Sequence, residues 1–205
     1  MLESIDKLAV EVFGERLEVA TRYAELLTCE GIEWGLLGPR ETDRIWDRHL
    51  LNSVCISPYV NRDSLVADIG SGAGLPGIPL AIARPDLQVV LVEPMERRVK
   101  FLDLCIRDLG LQDSVQVVRC RGEEYRPKAG VDVVTCRALS SVEKLVGMVE
   151  PLLNRAEVLA IKGDRASLEV EEAQDYLAKK SLTAEVIRSE VGGSLLGTVL
   201  RITKA

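Results

Sequence analysis

Aromatic residues are scarce in this chain. Two Trp, four Tyr and two Phe make up 4% of 205 residues, so aliphatic side chains must fill the core. The single histidine, His49, has no histidine partner. None of the five cysteines (Cys29, Cys55, Cys105, Cys120, Cys136) stands in a C-x-x-C pair. A zinc site of ordinary ligand spacing is therefore not expected, and the odd cysteine count argues against a disulfide framework. A reduced, cytoplasmic setting is the default expectation. No uninterrupted apolar stretch has the length of a membrane span. The opening Met1-Leu-Glu-Ser-Ile-Asp6 is acidic where a signal peptide is basic. The formal charge of −6 argues against a generally basic, non-specific nucleic-acid surface. Basic residues do cluster locally, at Arg40, Arg44 and Arg48, at Arg97, Arg98 and Lys100, and at Arg119 and Arg121. Each cluster lies beside acids and reads as a mixed-charge, solvated face. There is no internal repeat, low-complexity tract or linker.

What is present centres on Leu65-Val-Ala-Asp68-Ile-Gly70-Ser-Gly72-Ala-Gly74-Leu-Pro-Gly77. An apolar run ends in Asp68, glycines alternate, and a helix start follows. About twenty residues on, a second apolar run ends in Glu93. Strand, glycine turn, helix, strand and acid form a nucleotide-binding βαβ unit, in which the second-strand carboxylate is placed to accept from ribose hydroxyls. The glycines fit G-x-G-x-x-G, which would suit NAD. Two features favour S-adenosylmethionine (SAM). Asp68 puts negative charge where a pyrophosphate would sit, whereas the ammonium group of SAM tolerates it. Pro76 and Pro79 fall in the first turns of the next helix, where proline is accepted, and remove N–H donors that a phosphate would use.

Residues 1–62 read as a helical cap, with one amphipathic helix over about 5–30 stopped by Gly31 and a second over about 42–56. Residues 63–205 read as the main domain. Strands are expected at 65–69, 88–93, 115–120, 131–135 and 157–162, and helices at about 77–84, 95–109, 140–150 and 166–180. This alternation implies right-handed crossovers and a parallel sheet covered on both faces. Two extended runs at 183–191 and 198–203, joined by a glycine-bearing turn, should form an antiparallel hairpin. The expected class is α/β: a Rossmann-like SAM-dependent methyltransferase fold with a mostly parallel seven-stranded sheet, an antiparallel C-terminal hairpin and an N-terminal helical cap.

Several segments together make the resemblance specific. They are Arg48-His49-Leu-Leu-Asn52-Ser53, Asp68-Ile-Gly-Ser-Gly-Ala-Gly-Leu-Pro-Gly-Ile-Pro79, Arg97-Arg-Val-Lys-Phe-Leu102, Arg121-Gly122-Glu123-Glu124, Cys136-Arg137-Ala138-Leu-Ser and Ala160-Ile-Lys162-Gly163. The chain resembles the bacterial small-subunit ribosomal RNA methyltransferase G family over nearly its whole length, least beyond residue 165. The resemblance implies methyl transfer from SAM to N7 of a guanine, guanine 527 of 16S rRNA. It also implies 16S rRNA as partner, within an assembling 30S subunit or free of it, and neither membrane nor DNA. At the cofactor it places Gly70 and Leu75 of the glycine loop, Gly122 and Glu123 near the adenine, and Arg137 after the fourth strand. Asp68, Gly72, Gly74 and Glu93 join them by position, since all these residues fall near strand C-termini, where open α/β sheets bind ligands.

No catalytic acid or base is expected, because guanine N7 has a free lone pair and no proton to remove. Thr135-Cys136-Arg137-Ala138 stands where amine methyltransferases carry D/N-P-P-Y/F, and Cys136 lacks the setting of a nucleophile. Arg137 could alternatively pair with Glu93 or Glu123, and Lys162 could be a solvated strand end. His49 could be a satisfied polar residue at the seam between cap and domain, or could face RNA phosphate with Arg44 and Arg48. A SAM enzyme acting on a small molecule and a non-catalytic nucleotide-binding module are the other readings.

Overall fold

The computed structural model describes residues 2–137 and 141–205, with side chains from Lys7 onward. Ala138, Leu139 and Ser140 of the fourth-strand motif lie outside the described residues. Seven strands form one sheet: β1 (Leu65–Ile69), β2 (Gln88–Val92), β3 (Val115–Val118), β4 (Val133–Arg137), β5 (Glu157–Lys162), β6 (Leu182–Val191) and β7 (Ser194–Lys204). Their order is β3-β2-β1-β4-β5-β7-β6. The first five run parallel and β7 pairs antiparallel with both β5 and β6. The strand order reverses between β1 and β4, and ligands of open α/β sheets bind at such a switch point.

Alternating strand residues feed two cores, as the two-residue side-chain period requires. Val66, Val89, Leu91, Val133, Leu159, Ile161 and Val199 face one way. Ala67, Ile69, Val90, Val92, Val134, Val158, Ala160 and Leu200 face the other. On the first face lie α4 (Gly77–Ala83) and α5 (Glu96–Asp108); on the second lie α6 (Val142–Val149) and, beyond α7 (Ala166–Glu172), α8 (Gln174–Lys179).

The segment before β1 packs into that first core. Tyr23, Leu26, Leu27, Leu50, Val54 and Ile56 are buried in the same cluster as Ile78, Leu80 and Phe101. The single helix expected over 5–30 is three pieces: α1 (Leu2–Phe13), α2 (Leu17–Thr28) and α3 (Glu30–Glu33). The first break falls at Gly14, which has φ +49. Gly31 does not stop a helix but sits inside α3, where an added Cβ would lie 3.7 Å from the Phe101 ring. Trp34 meets that ring edge-on, with centroids 5.9 Å apart. The second cap helix is also irregular. A 3-10 stretch (Pro39–Arg44) leads into a π-helical turn (Ile45–Leu51), followed by another 3-10 stretch (Val54–Tyr59). Such irregular turns are frequent where side chains must be re-aimed at a functional site.

Further boundaries differ from expectation: β3 stops at Val118, short of residue 120, and the helix expected over 166–180 is split into α7 and α8. β4 runs two residues later than 131–135, because its partner register pairs Val133 with Glu157 and Arg137 with Ile161. Arg137 is thus the last strand residue, not a loop residue beyond it. The terminal hairpin turns tightly at Gly192 and Gly193, with φ +57 and +76, and Val191 pairs with Ser194. Two consecutive positive φ values are what a type I′ turn needs, so residues 194–197 join the strand. Among the described residues no helix is long and apolar enough to cross a membrane.

The cap is joined to the sheet layer by polar contacts as well. The fully buried Tyr23 hydroxyl donates to the Ala73 carbonyl at 2.7 Å. Arg22 makes two bonds to Asp108 of α5, at 2.8 and 3.0 Å. Tyr23→Phe should destabilise the fold by about 1–3 kcal/mol, because a buried carbonyl loses its partner. Arg22→Ala, on the exposed surface where solvent screens the pair, should cost clearly less than Tyr23→Phe. Urea denaturation of the two variants measures both, and equal costs would contradict the assignment.

Candidate cofactor and substrate site

The glycine loop leaves β1 and is tied at once to β2. The N–H groups of Gly70 and Ser71 donate to the Val92 carbonyl at 2.8 and 3.2 Å. Gly70, Gly72 and Gly74 have φ values of +74, +59 and +96, a region that side-chain-bearing residues rarely adopt. Their surroundings separate two roles. A Cβ on Gly70 would meet nothing within 4 Å, and on Gly72 only the Gly70 carbonyl at 3.9 Å. A Cβ on Gly74 would lie 2.4 Å from Ile78 Cδ1 and 3.0 Å from the Tyr23 hydroxyl. The first two glycines thus border open space at the end of β1, while Gly74 allows the loop to pack against α4 and the cap. Leu75 is buried in that packing.

Two buried carboxylates brace the loop. Asp68 Oδ2 accepts from Ser71 Oγ at 2.7 Å and from the Gly77 N–H at 3.0 Å. Its other oxygen, Oδ1, is buried with no hydrogen-bond partner among the described residues. Burial pushes the Asp68 carboxyl up to about 6, against the lowering effect of its Ser71 and Gly77 bonds. Glu93, 1% exposed, accepts from the Gly72 N–H at 2.9 Å through Oε2 and from the Met95 N–H at 3.0 Å through Oε1. Arg98 approaches Oε2 at 3.6 Å. Glu93 therefore fastens the loop to the end of β2. Each carboxylate oxygen has two acceptor directions; Arg98 faces Oε2, and Oε1 keeps one direction for a donor such as a ribose hydroxyl.

These residues fit SAM. Positive-φ glycines border open space, and an orphaned buried carboxylate oxygen offers an acceptor for a cationic amino group, where a phosphate would meet repulsion.

Gly122 opens a 3-10 turn after β3. A Cβ there would lie 2.5 Å from Ile69 Cγ2 and 2.7 Å from Met148 Cγ, so glycine is required by the close approach of β1 and α6. Glu123 is exposed beside it, 3.9 Å from Arg121. Cys136 is buried, and burial pushes its thiol up to about 12. A thiol so held is not a nucleophile at neutral pH.

Arg137 pairs with neither Glu93 nor Glu123. Its Nη1 donates to the Arg48 carbonyl at 3.0 Å, and its Nη2 lies 3.0 Å from His49 Nδ1. The other imidazole nitrogen, Nε2, lies 2.8 Å from Glu41 Oε2. Glu41 Oε1 meets Arg48 at 3.2 Å. Lys162, the last residue of β5, is not a solvated end: its side chain is 4% exposed and its ammonium is 2.7 Å from Glu169. Arg48, His49, Asn52, Arg137, Lys162 and Glu169 line a cavity of about 340 Å³ at the C-terminal ends of β4 and β5. Arg44 stands apart, exposed and paired with Asp47 at 3.3 Å.

Tyr23 and Glu41 hold this arrangement together through their hydrogen bonds, and neither stands out in the sequence. Tyr23 reads only as one more apolar position of a helix, and nothing local to Glu41 marks it as the partner of a histidine on the next turn.

A seven-stranded sheet of this order, with a glycine loop and acids at the ends of β1 and β2, defines the Rossmann-like SAM-dependent methyltransferase class. Solved structures agree at the level of fold. An O-methyltransferase of neocarzinostatin biosynthesis, in complex with SAM, aligns with a TM-score of 0.61 at 17% identity, over 86% of this chain and 60% of that one. A SAM-dependent methyltransferase from Aquifex aeolicus aligns at 0.55 and 18% identity, over 78% and 92%. Sequence relatives are far nearer. The ribosomal RNA small subunit methyltransferase G of Mycobacterium marinum is 53% identical over 92% of this chain and 82% of its own length. That of Thermobifida fusca is 48% identical over 95% and 83%. The family described as rRNA small subunit methyltransferase G matches residues 16–194, and the chain belongs to it.

The two kinds of glycine predict different failures. Gly72→Ala should cost the fold only about 1–2 kcal/mol from its left-handed backbone, yet abolish SAM binding by intruding on the open side of the loop. Gly74→Ala should chiefly destabilise, since overpacking alone costs about 1–3 kcal/mol. Denaturation and calorimetry of both variants check this; a Gly72→Ala protein with wild-type affinity would place the ligand elsewhere.

Asp68 predicts a pH dependence. Its pKa is raised in the folded chain, so its contribution to stability is complete below the ordinary aspartate value and is lost as pH rises through about 6. Binding a cationic amino group requires the ionised form, so SAM affinity should rise with pH across that same range. In Asp68→Asn the rise should disappear, with affinity lower by about 1.5–3 kcal/mol, the range for a hydrogen bond to a charged group. Calorimetric titration between pH 5 and 8 measures it.

Proposed function

We propose that this chain transfers a methyl group from SAM to N7 of a guanine in small-subunit rRNA, at position 527 of 16S rRNA. Membership of the rRNA small subunit methyltransferase G family over residues 16–194 carries the reading, and the arrangement of the site supports it. SAM, when bound, supplies an electrophilic methyl on a cationic sulfonium. Asp68, Gly70, Gly72 and Glu93 would hold it at the end of β1 and β2, with Gly122 and Glu123 at the next turn. The adjoining cavity at the ends of β4 and β5 would take the base.

Guanine N7 carries a lone pair and no proton, so no residue has to act as base, and none lining the cavity is poised to. Both ring nitrogens of His49 are engaged, and Glu169 is paired with Lys162. The work left to the chain is positioning and a preorganised electrostatic environment. Arg137 and Lys162 are both held by protein acceptors, which fixes where their positive charges stand. Lysine and arginine habitually donate to guanine O6 and N7; cations fixed in place can donate to O6 and orient the base with its N7 lone pair left for the methyl. A base in folded rRNA must be turned out to enter such a cavity, which favours an assembling 30S particle as the substrate form.

The test is transfer of labelled methyl from SAM to 16S rRNA lacking the modification, presented free and in 30S subunits. Label should appear at one guanine, 527, and borohydride reduction with aniline should cleave the RNA there, as N7 methylation demands. Label at an exocyclic nitrogen or a ribose oxygen would overturn the assignment. Arg137→Ala should abolish transfer and weaken SAM binding.

A further inference from the structure

His49 lies on the π-helical turn of the cap, between a carboxylate and a guanidinium. Its side chain is 7% exposed. The Arg137 guanidinium has only donors, so His49 Nδ1, 3.0 Å from Arg137 Nη2, must be the acceptor and carries no proton. The ring proton then sits on Nε2 and is donated to Glu41 Oε2 at 2.8 Å. One tautomer of the neutral ring satisfies both contacts. The opposite tautomer would set N–H against N–H at Arg137 and leave Nε2 as an acceptor facing a carboxylate.

We propose that His49 is a positioning residue of the methyltransferase site: as the neutral Nε2–H tautomer, oriented by Glu41, it holds the Arg137 guanidinium at the ends of β4 and β5, and taking up a proton releases that arginine. The role rests on the reading of the cavity as the reaction site.

Arg137 depends on this contact because no carboxylate among the described residues pairs with it. Its hydrogen-bond partners there are a neutral imidazole and the Arg48 carbonyl. Both come from consecutive residues of the cap, so one short turn fixes two arms of the guanidinium. Among the described residues two of its five N–H groups are used in this way, and the others can meet oxygen atoms of a ligand. The charge of Asp68, which holds the glycine loop, also acts on Arg137.

The charged groups around the ring set the sign of the pH effect. Glu41 favours the protonated ring. Burial, Arg137 and Arg48 disfavour it, and together they hold His49 below the ordinary histidine value. Across the cavity the Lys162 charge is matched by Glu169. A histidine with a lowered pKa is neutral at pH 7, and its stabilising contact is lost as pH falls through that lowered value. Protonation would put a donor on Nδ1 and a second cation within 3.0 Å of Arg137.

The chain has one histidine, so every imidazole signal in an NMR spectrum belongs to it. Long-range proton–nitrogen correlation on uniformly labelled, ligand-free protein should show a single tautomer with the proton on Nε2, titrating below the ordinary histidine value. An Nδ1–H ring, a tautomer mixture or a raised pKa would overturn the proposal, and this measurement needs neither SAM nor rRNA. Methyl transfer and SAM affinity are then measured against pH for wild type, His49→Gln and Glu41→Gln. Wild type should show an acid limb from His49 in addition to the Asp68 effect. His49→Gln should lose that limb while its transfer at pH 7.5 falls roughly tenfold, as loss of a hydrogen bond to a charged group implies. Glu41→Gln should shift the limb to lower pH, since the carboxylate no longer favours the charged ring. An unchanged acid limb in His49→Gln would sink the positioning role. Loss of rRNA methylation in wild type with the NMR result intact would instead count against the substrate assignment.

Discussion

The Asp68 carboxylate is the contact on which the site depends. One of its oxygens accepts from Ser71 and from the first N–H of α4. Strand, glycine turn and helix are thereby closed into one unit around a buried charge. Burying a carboxylate is costly unless it is well bonded, and here one oxygen is satisfied and the other orphaned. The loop is thus built with an unmet acceptor in its interior. A cationic group arriving at the end of β1 would answer that need, which is a physical reason for this unit to select SAM over a dinucleotide. Glu93 repeats the arrangement one strand away, bonded to Gly72 and Met95.

The segment before β1 does more than cover this site. It shares one hydrophobic cluster with α4, α5 and one face of the sheet. Through Tyr23 it bonds the glycine loop directly, and through His49 and the Arg48 carbonyl it grips Arg137. The glycine loop and the cavity at the ends of β4 and β5 are both touched by the same layer. The π-helical turn at Ile45–Leu51 brings the Arg48 carbonyl and the His49 ring to bear on a single guanidinium.

The distribution of charge also gains meaning from the fold. A chain of net charge −6 does not attract RNA through its overall charge. Two of its cap arginines are matched by acids, Arg44 by Asp47 and Arg48 by Glu41. The cations that count for the site are the buried or half-buried Arg137 and Lys162, both anchored and both at strand ends. Affinity for rRNA must then come from shape and from a few placed contacts more than from a diffuse field.

Much of this was legible in the sequence, and for a definite reason. Glycines at alternating positions after an apolar run, and strand and helix periods in regular succession, are local signals. They determined the βαβ unit, the parallel sheet with its terminal hairpin and the choice of SAM. The strand-end rule also placed Asp68, Gly70, Gly72, Gly74, Glu93 and Gly122 at one end of the sheet. Tertiary structure decided the partners. Arg137 meets His49 across 88 positions of chain, and Tyr23 meets Ala73 across 50; no local period encodes either contact. It ended β4 on Arg137 instead of before it, because pairing with β5 sets that boundary. It buried Lys162 against Glu169, where a strand-end lysine reads as solvated. It broke the cap helix at Gly14, whose φ is +49. Residue identities fixed what each group could donate or accept, and only the fold chose which of them meet.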